Sequence, residues 1–126
     1  MAIQNEEHIW KLVDAKREEF IELSDRVFGT PETLYNEFCS VKEHIATLEI
    51  EGFKITKDVC GMPTAVIGEA GDEGPVIAIL GEFDALPGLS QEPGVASHSP
   101  ILDGGNGHGC GHNLLGSAAL LAATAV

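Results

Sequence analysis

The sequence predicts an α/β protein in which helices pack on a central sheet. Apolar residues recur at helical spacing over residues 5–28 and again over roughly 32–51. The period then changes to that of strands in residues 53–59 and 64–70, and residues 76–84, VIAILGEFD, form a nearly continuous apolar run. Helices placed before and after strands are typical of layered α/β domains.

Boundary residues support the two helices at the start of the chain. Gly29 suits the end of the first helix, and Pro31 suits the beginning of the next turn or helix. Gly52 ends the second helix, on which His44 is expected at the surface.

Two segments in the second half of the chain are so apolar that we expect them to be extensively buried. The run 76–84 is typical of a central strand that is covered on both faces. Residues 113–126 read as a helix with almost no polar face, which has to be buried on every side. The segments that would bury it are not in these 126 residues, so the chain is expected to be the front part of a longer domain.

The charge is strongly acidic and unevenly distributed. The formal net charge is −13, all 7 Lys and Arg lie between Lys11 and Lys57, and residues 58–126 contain 8 acids and no Lys or Arg. Such a surface repels phosphate groups, which argues against binding to nucleic acids or to anionic membranes.

The remaining composition favours a soluble protein of a reducing compartment. The first ten residues lack the pattern of a signal peptide, and the longest apolar stretch, 114–126, is too short to span a bilayer. The three cysteines cannot all pair with one another. A cytoplasmic location is therefore expected.

The motif GHGCGHN, residues 107–113, brings together chemistry suited to a metal. His108, Cys110 and His112 alternate with glycines, and histidine and cysteine are preferred ligands of Zn²⁺. Asp84 follows at the carboxyl end of the apolar strand, where open α/β sheets collect their ligands. From the spacing alone, a metal site and a flexible solvated loop both remain open, and a metal would need further ligands from elsewhere.

Two other interpretations of the motif are weak. A phosphate-binding loop would end in Lys followed by Ser or Thr, and no Lys or Arg lies near these glycines. A thiol-redox site would need a C-x-x-C partner for Cys110, which the sequence lacks.

The stretches GEFDALPGL (81–89) and GHGCGHNLLG (107–116) resemble the aminoacylase/carboxypeptidase family of dinuclear metallopeptidases and amidohydrolases, most closely its aminobenzoyl-glutamate hydrolase branch. The resemblance covers essentially the whole chain. It implies that residues 1–126 form the N-terminal portion of a mixed-sheet catalytic domain of the zinc-exopeptidase type. The family's lid and dimerisation domain would be absent from this chain.

The resemblance also implies roles for individual residues. Cys110 and His112 would be metal ligands, and Asp84 would be the catalytic-site aspartate that orients a ligand. His108, Glu82 and Asn113 would line the pocket; many relatives have His at the position of Glu82 and Asp at the position of Asn113.

The implied activity is metal-dependent hydrolysis of the amide bond in N-acyl or aminobenzoyl amino acids or dipeptides, with two divalent ions, Zn or Mn, in the complete site. The general base, a member of a Glu-Glu pair, and further histidine ligands would lie downstream. The expected partners are a small-molecule amide substrate and, for the full-length protein, a second copy or a different polypeptide. The alternative is a non-catalytic metal-binding or interaction fragment derived from such an enzyme.

Overall fold

The computed structural model describes residues 2–126, with side chains described for residues 5–126. Along this part of the chain, helix α1 (Ala2–Phe28) is followed by helix α2 (Phe38–Ile50) and by strands β1 (Lys54–Lys57) and β2 (Val66–Glu69). A short 3-10 turn, Val59–Gly61, separates the strands, and helix α3 (His112–Ala125) comes last. The chain is therefore a mixture of helices and a small sheet, compatible with part of an α/β domain.

The core lies along one face of α1. Phe20, Leu23 and Val27 are almost completely buried, and their spacing of three and four residues places them on one side of the helix. Leu120 and Leu121 of α3 pack against them, together with Phe83 from the long segment before α3. The prediction of a helix that packs one face on a core is confirmed for α1.

Helix α2 begins later than predicted, at Phe38 rather than near Glu32. Tyr35 adopts a left-handed backbone conformation with φ of 62°, which interrupts a helix started at Pro31. The Glu32 carboxylate instead accepts hydrogen bonds from the free backbone N–H groups of Cys39 and Ser40 at the start of α2. Burial alone would raise the pKa of Glu32, but these hydrogen bonds outweigh it and hold that pKa below its ordinary value.

His44 is buried, which makes the prediction of a surface position wrong. Its side chain is 2% exposed, and the ring centroid lies 4.5 Å from that of Phe83. Nδ1 lies 2.9 Å from the carbonyl oxygen of Ser40, while Nε2 has no hydrogen-bond partner among the described residues. The ring is covered because the backbone of α3 approaches it closely at Gly116, where a Cβ atom would lie 2.7 Å from Nε2.

The two predicted strands are confirmed, although both are shorter than the sequence patterns. They pair in antiparallel fashion, with Lys54 opposite Glu69 and Lys57 opposite Val66. The opposite charges of Lys54 and Glu69 favour this register.

The apolar run 76–84 is the main disagreement with the prediction. It forms no strand in the structure, and Val76 and Leu80 are 97% and 86% exposed. A central strand needs a neighbour on each side, and the described residues supply neither. The prediction of a covered central strand is therefore wrong for this part of the chain.

Helix α3 matches the predicted helix, but it is not buried on every side. Gly116 and Ser117 are buried toward α1 and α2, whereas Leu114 is 64% exposed. Among residues 2–126, no helix combines the length and the apolar character needed to cross a membrane.

Candidate metal centre

Backbone hydrogen bonds hold the segment around Asp84 in place. The N–H of Ala85 donates to the carbonyl oxygen of Glu32 at 2.7 Å. Leu86 and Gly107 exchange two N–H to carbonyl hydrogen bonds of 3.0 Å. These contacts fasten the chain after Asp84 both to the segment before α2 and to the loop that leads into α3.

The glycine-rich loop brings His112 to the same place. Gly107 passes so close to the backbone of Leu89 that no Cβ atom could be accommodated there. His112 follows as the first residue of α3. Because the loop packs closely against the backbone of Leu89, His112 lies beside the end of the apolar segment.

Three side chains converge at this point: those of Glu82, Asp84 and His112. One potential ligand atom from each lies within 4.8 Å of the other two. Nδ1 of His112 lies 2.7 Å from Oδ1 of Asp84 and 3.1 Å from the carbonyl oxygen of Asp84. Nε2 on the opposite side of the ring lies 3.3 Å from Oε2 of Glu82. The imidazole is thus held between two carboxylates.

This arrangement leaves a place for a positive charge. A neutral imidazole donates from only one nitrogen. If Nδ1–H donates to Asp84, the lone pair of Nε2 points toward the carboxylate oxygen of Glu82, and two acceptors face each other. Either a second proton on His112 or a cation bound by Nε2 and Oε2 removes this conflict. Nitrogen and carboxylate oxygen are both ligands that Zn²⁺ and Mn²⁺ accept, so the donor set fits a divalent metal.

The group is accessible from solvent on the side of Glu82. The side chain of Glu82 is 63% exposed, while those of Asp84 and His112 are 23% and 17% exposed. A cavity of about 230 Å³ adjoins the two acids, with its remaining walls formed by Glu37, Thr64, Ala65, Val66, Gly81 and Phe83. The two acids of the group therefore border this cavity, whereas His112 does not line it.

Cys110, predicted as a ligand beside His112, lies outside the converging group. Its thiol is free and exposed to solvent. Cys110 precedes the helix in the loop, whereas His112 lies within the first turn of α3. The ligand role of Cys110 remains a prediction.

His108 and Asn113 contact helix α1. Nε2 of the buried His108 lies 3.1 Å from the carbonyl oxygen of Val27, and Nδ2 of Asn113 donates to the Ser24 hydroxyl at 3.0 Å. Burial lowers the pKa of His108, which favours the neutral ring, although the hydrogen bond to Val27 opposes this effect. The two side chains fasten the loop and the start of α3 to the core.

Glu82 contributes more to this geometry than the family resemblance indicated, since many relatives have histidine at its position. The available signal is its spacing from Asp84. Side chains two residues apart along an extended chain point to the same side. The sequence therefore predicts that the side chains of the two acids lie on the same side of the chain. It does not predict that they lie close to His112.

Comparison with known proteins relates the sequence of the chain to that of a protein named as a hydrolase subunit. The chain is 46% identical over 114 residues to a protein of Escherichia coli (strain K12) that is named as a subunit of p-aminobenzoyl-glutamate hydrolase, a match that includes 90% of the chain. The chain is a relative of this hydrolase subunit. The resemblance predicted from the two motifs is thereby confirmed. The chain spans 24% of the length of the hydrolase relative, and no protein-family model matches the chain.

Proposed function

We propose that the chain forms part of a metal-dependent amidohydrolase, with Glu82, Asp84 and His112 contributing to the metal centre. The observation that carries the proposal is the convergence of these three side chains within 4.8 Å. The 46% identity to a protein named for the hydrolysis of p-aminobenzoyl-glutamate supports the hydrolase class. The proposed substrates are accordingly N-acyl or aminobenzoyl amino acids or dipeptides.

The role of Asp84 in this proposal is to orient His112. In this proposal Nδ1–H donates to Asp84 across the 2.7 Å contact, and that tautomer leaves Nε2 free to bind a metal. A carboxylate in contact with a ligating histidine also increases the basicity of that ligand. Asp84 would thus act on a bound metal through the imidazole of His112.

Glu82 and Cys110 complete the proposed ligand set. Three donors leave a tetrahedral shell open, and the exposed thiol of Cys110 lies two residues before His112 in the chain. A bound divalent ion would polarise an amide carbonyl and lower the pKa of a water molecule.

A metal-binding fragment without catalytic activity is the second candidate. It is favoured by the observation that only three donor side chains converge among the described residues. The two candidates share the metal site and differ in turnover.

Metal binding by the purified chain tests the metal site, which both candidate functions require. The chain, stripped with a chelator and then titrated with Zn²⁺ in a calorimeter, is expected to bind the ion, and His112→Ala is expected to abolish that binding. His98→Ala, which removes an exposed histidine outside the group, is the matched control. Equal binding by wild type and His112→Ala would remove the proposed centre.

A chimera tests the hydrolase function. The 114 residues matched in the E. coli protein are replaced by those of this chain, and hydrolysis of p-aminobenzoyl-glutamate is measured. The chimera is expected to be active and its His112→Ala variant inactive. A folded, metal-loaded chimera without turnover would favour the fragment interpretation. The isolated chain is expected to bind metal without turnover.

A further inference from the structure

Glu32 is bound through its backbone to the end of the extended segment that carries Asp84. Its carbonyl oxygen accepts the N–H of Ala85 at 2.7 Å. The next residue, Thr33, forms an isolated parallel bridge with Ala85. Because Ala85 directly follows Asp84 in the chain, these contacts restrict the position of the Asp84 backbone and hence of its carboxylate.

The residue before Glu32 contacts the glycine-rich loop. Nδ2 of Asn106 donates to the carbonyl oxygen of Pro31 at 3.3 Å. Asn106 lies in the loop that leads to His112. Residues 31–33 therefore contact both of the chain segments that carry the metal group.

The side chain of Glu32 is fixed at the start of α2. Oε2 accepts the N–H groups of Cys39 and Ser40 at 3.0 and 2.9 Å and the Ser40 hydroxyl at 3.0 Å, while Oε1 accepts the N–H of Cys39 at 2.9 Å. The first N–H groups of a helix have no partner within the helix, and their partial positive charge favours a carboxylate. Helix α2 is itself held in the fold by buried side chains, among them Val41 and Leu48. The carboxylate thus fastens residue 32 to an anchored helix.

We propose that Glu32 is a positioning residue of the metal group: its carboxylate, bound to α2, fixes the backbone that holds Asp84 beside His112. The inference rests on the proposed function, because it concerns the metal site of the proposed hydrolase. Glu32 acts through the backbone of Ala85. Without its carboxylate, residues 31–33 would move more freely relative to α2, and the 2.7 Å contact between Asp84 and His112 would weaken, since hydrogen bonds depend steeply on geometry.

A positioning role differs from an effect of the Glu32 charge and from an effect on stability alone. Glu32→Gln keeps an oxygen that accepts the N–H groups of α2, but it removes the charge. Glu32→Asp keeps the charge, but it shortens the side chain so that the carboxylate no longer reaches the same N–H groups. Positioning is therefore retained better in Glu32→Gln, whereas attraction between the charge and a cation is retained better in Glu32→Asp.

Amide hydrogen exchange of the metal-free chain, followed by NMR, tests the link between Glu32 and Ala85. Glu32→Ala is expected to accelerate exchange at Ala85 more than at Leu23, a fully buried residue of α1. Glu32→Asp should act in the same direction, and it replaces Glu32→Ala if that variant does not fold. Glu32→Gln should restore most of the protection of Ala85.

Leu48→Ala is the matched control, because it removes a buried side chain near the other end of α2. It is expected to accelerate exchange at Leu23 at least as much as at Ala85. A variant of Glu32 that only destabilises the whole fold would show this same pattern.

Competition with a chromophoric chelator measures the Zn²⁺ affinity of the same variants. Glu32→Ala and Glu32→Asp are expected to bind Zn²⁺ roughly 3- to 10-fold more weakly than wild type, the usual size of an effect transmitted through intervening residues. Glu32→Gln and folded Leu48→Ala should bind the ion about as tightly as wild type.

Three results would overturn the proposal: equal acceleration at Ala85 and Leu23 in Glu32→Ala, an unchanged Zn²⁺ affinity in that variant, or a Zn²⁺ affinity of Glu32→Gln below that of Glu32→Asp. Wild type that binds no Zn²⁺ would instead remove the proposed metal function. The exchange rate at Ala85, which is measured without metal, would still decide whether Glu32 positions the backbone after Asp84.

Discussion

Nδ1 of His112 lies 2.7 Å from Oδ1 of Asp84, so the first residue of α3 is bound to the end of an extended segment 28 residues earlier in the chain. The contact crosses the long loop that separates the two motifs. It fixes the orientation of the imidazole and leaves Nε2 directed toward Glu82 at 3.3 Å. The metal affinity of this group should therefore depend on Asp84 even if that carboxylate is not itself a ligand.

Asp84→Ala is expected to lower the Zn²⁺ affinity of the chain by roughly 10- to 100-fold, because loss of the partner of a ligating histidine has effects of that size. Competition with a chromophoric chelator measures the change. Asp103→Ala removes an exposed acid outside the group and should leave the affinity unchanged. Equal losses of Zn²⁺ affinity in the two variants would show that the change in net charge, and not the contact with His112, causes the loss.

Cys110→Ser is expected to weaken Zn²⁺ binding by roughly 10-fold or more and to leave Mn²⁺ binding almost unchanged, because thiolate favours the softer ion. Titrations with both ions measure the two affinities. Cys60→Ser, which changes another exposed thiol, is the control. An unchanged Zn²⁺ affinity would exclude Cys110 from the ligand set and leave Glu82, Asp84 and His112 as the donors of this chain.

Gly116→Ala is expected to destabilise the fold by about 1–3 kcal/mol, the usual cost of inserting a methyl group into a tightly packed site. The added Cβ would lie 2.7 Å from Nε2 of His44 and 2.8 Å from the carbonyl oxygen of Glu82. Urea denaturation measures the loss. Because alanine is the better helix former, a gain in stability would show that α3 and α2 are not in contact at this point.

A double-mutant cycle identifies the cause of that loss. His44→Ala removes the ring that the new methyl group would meet, so the cost of Gly116→Ala should be smaller in the His44→Ala background than in wild type. Strictly additive effects would assign the clash to the backbone of Glu82 instead.

Local sequence patterns predicted most of the elements, but they placed the start of α2 too early and wrongly predicted a strand over residues 76–84. Helices α1 and α3 and the two short strands follow from periodicity and from boundary residues such as Gly29. The burial of His44 could not be predicted in this way, since it depends on the approach of Gly116 from a distant helix. The exposure of Val76 and Leu80 depends on which strands are available as neighbours, which a single apolar run does not specify.

The candidate site was predicted in part for the same reason. The motif placed His112 at a helix start and Asp84 at the end of an extended segment, and the structure brings these two together. The third member of the group, Glu82, emerges only when the fold is known, because its partner His112 is distant in the chain. Spacing within a motif predicts local neighbours, whereas convergence of distant donors is a property of the tertiary structure.

Stability is expected to decrease as the pH falls below the ordinary histidine pKa of about 6.5, with His44 as one cause. Burial lowers the pKa of His44 in the folded chain, and the hydrogen bond to Ser40 and the nearby charge of Glu43 only partly oppose this. Between the folded and the unfolded pKa, the unfolded chain therefore binds more protons than the folded chain, and acid favours unfolding.

Urea denaturation at pH 7 and at pH 5 measures this dependence on His44. His44→Gln is expected to reduce the difference in unfolding free energy between the two pH values, even though the loss of the buried ring lowers stability at both. His8→Gln, which changes an exposed histidine on α1, should keep the wild-type difference. A difference that is equal in all three proteins would assign the acid sensitivity to other groups, since only a titrating residue at position 44 couples protonation of this site to folding.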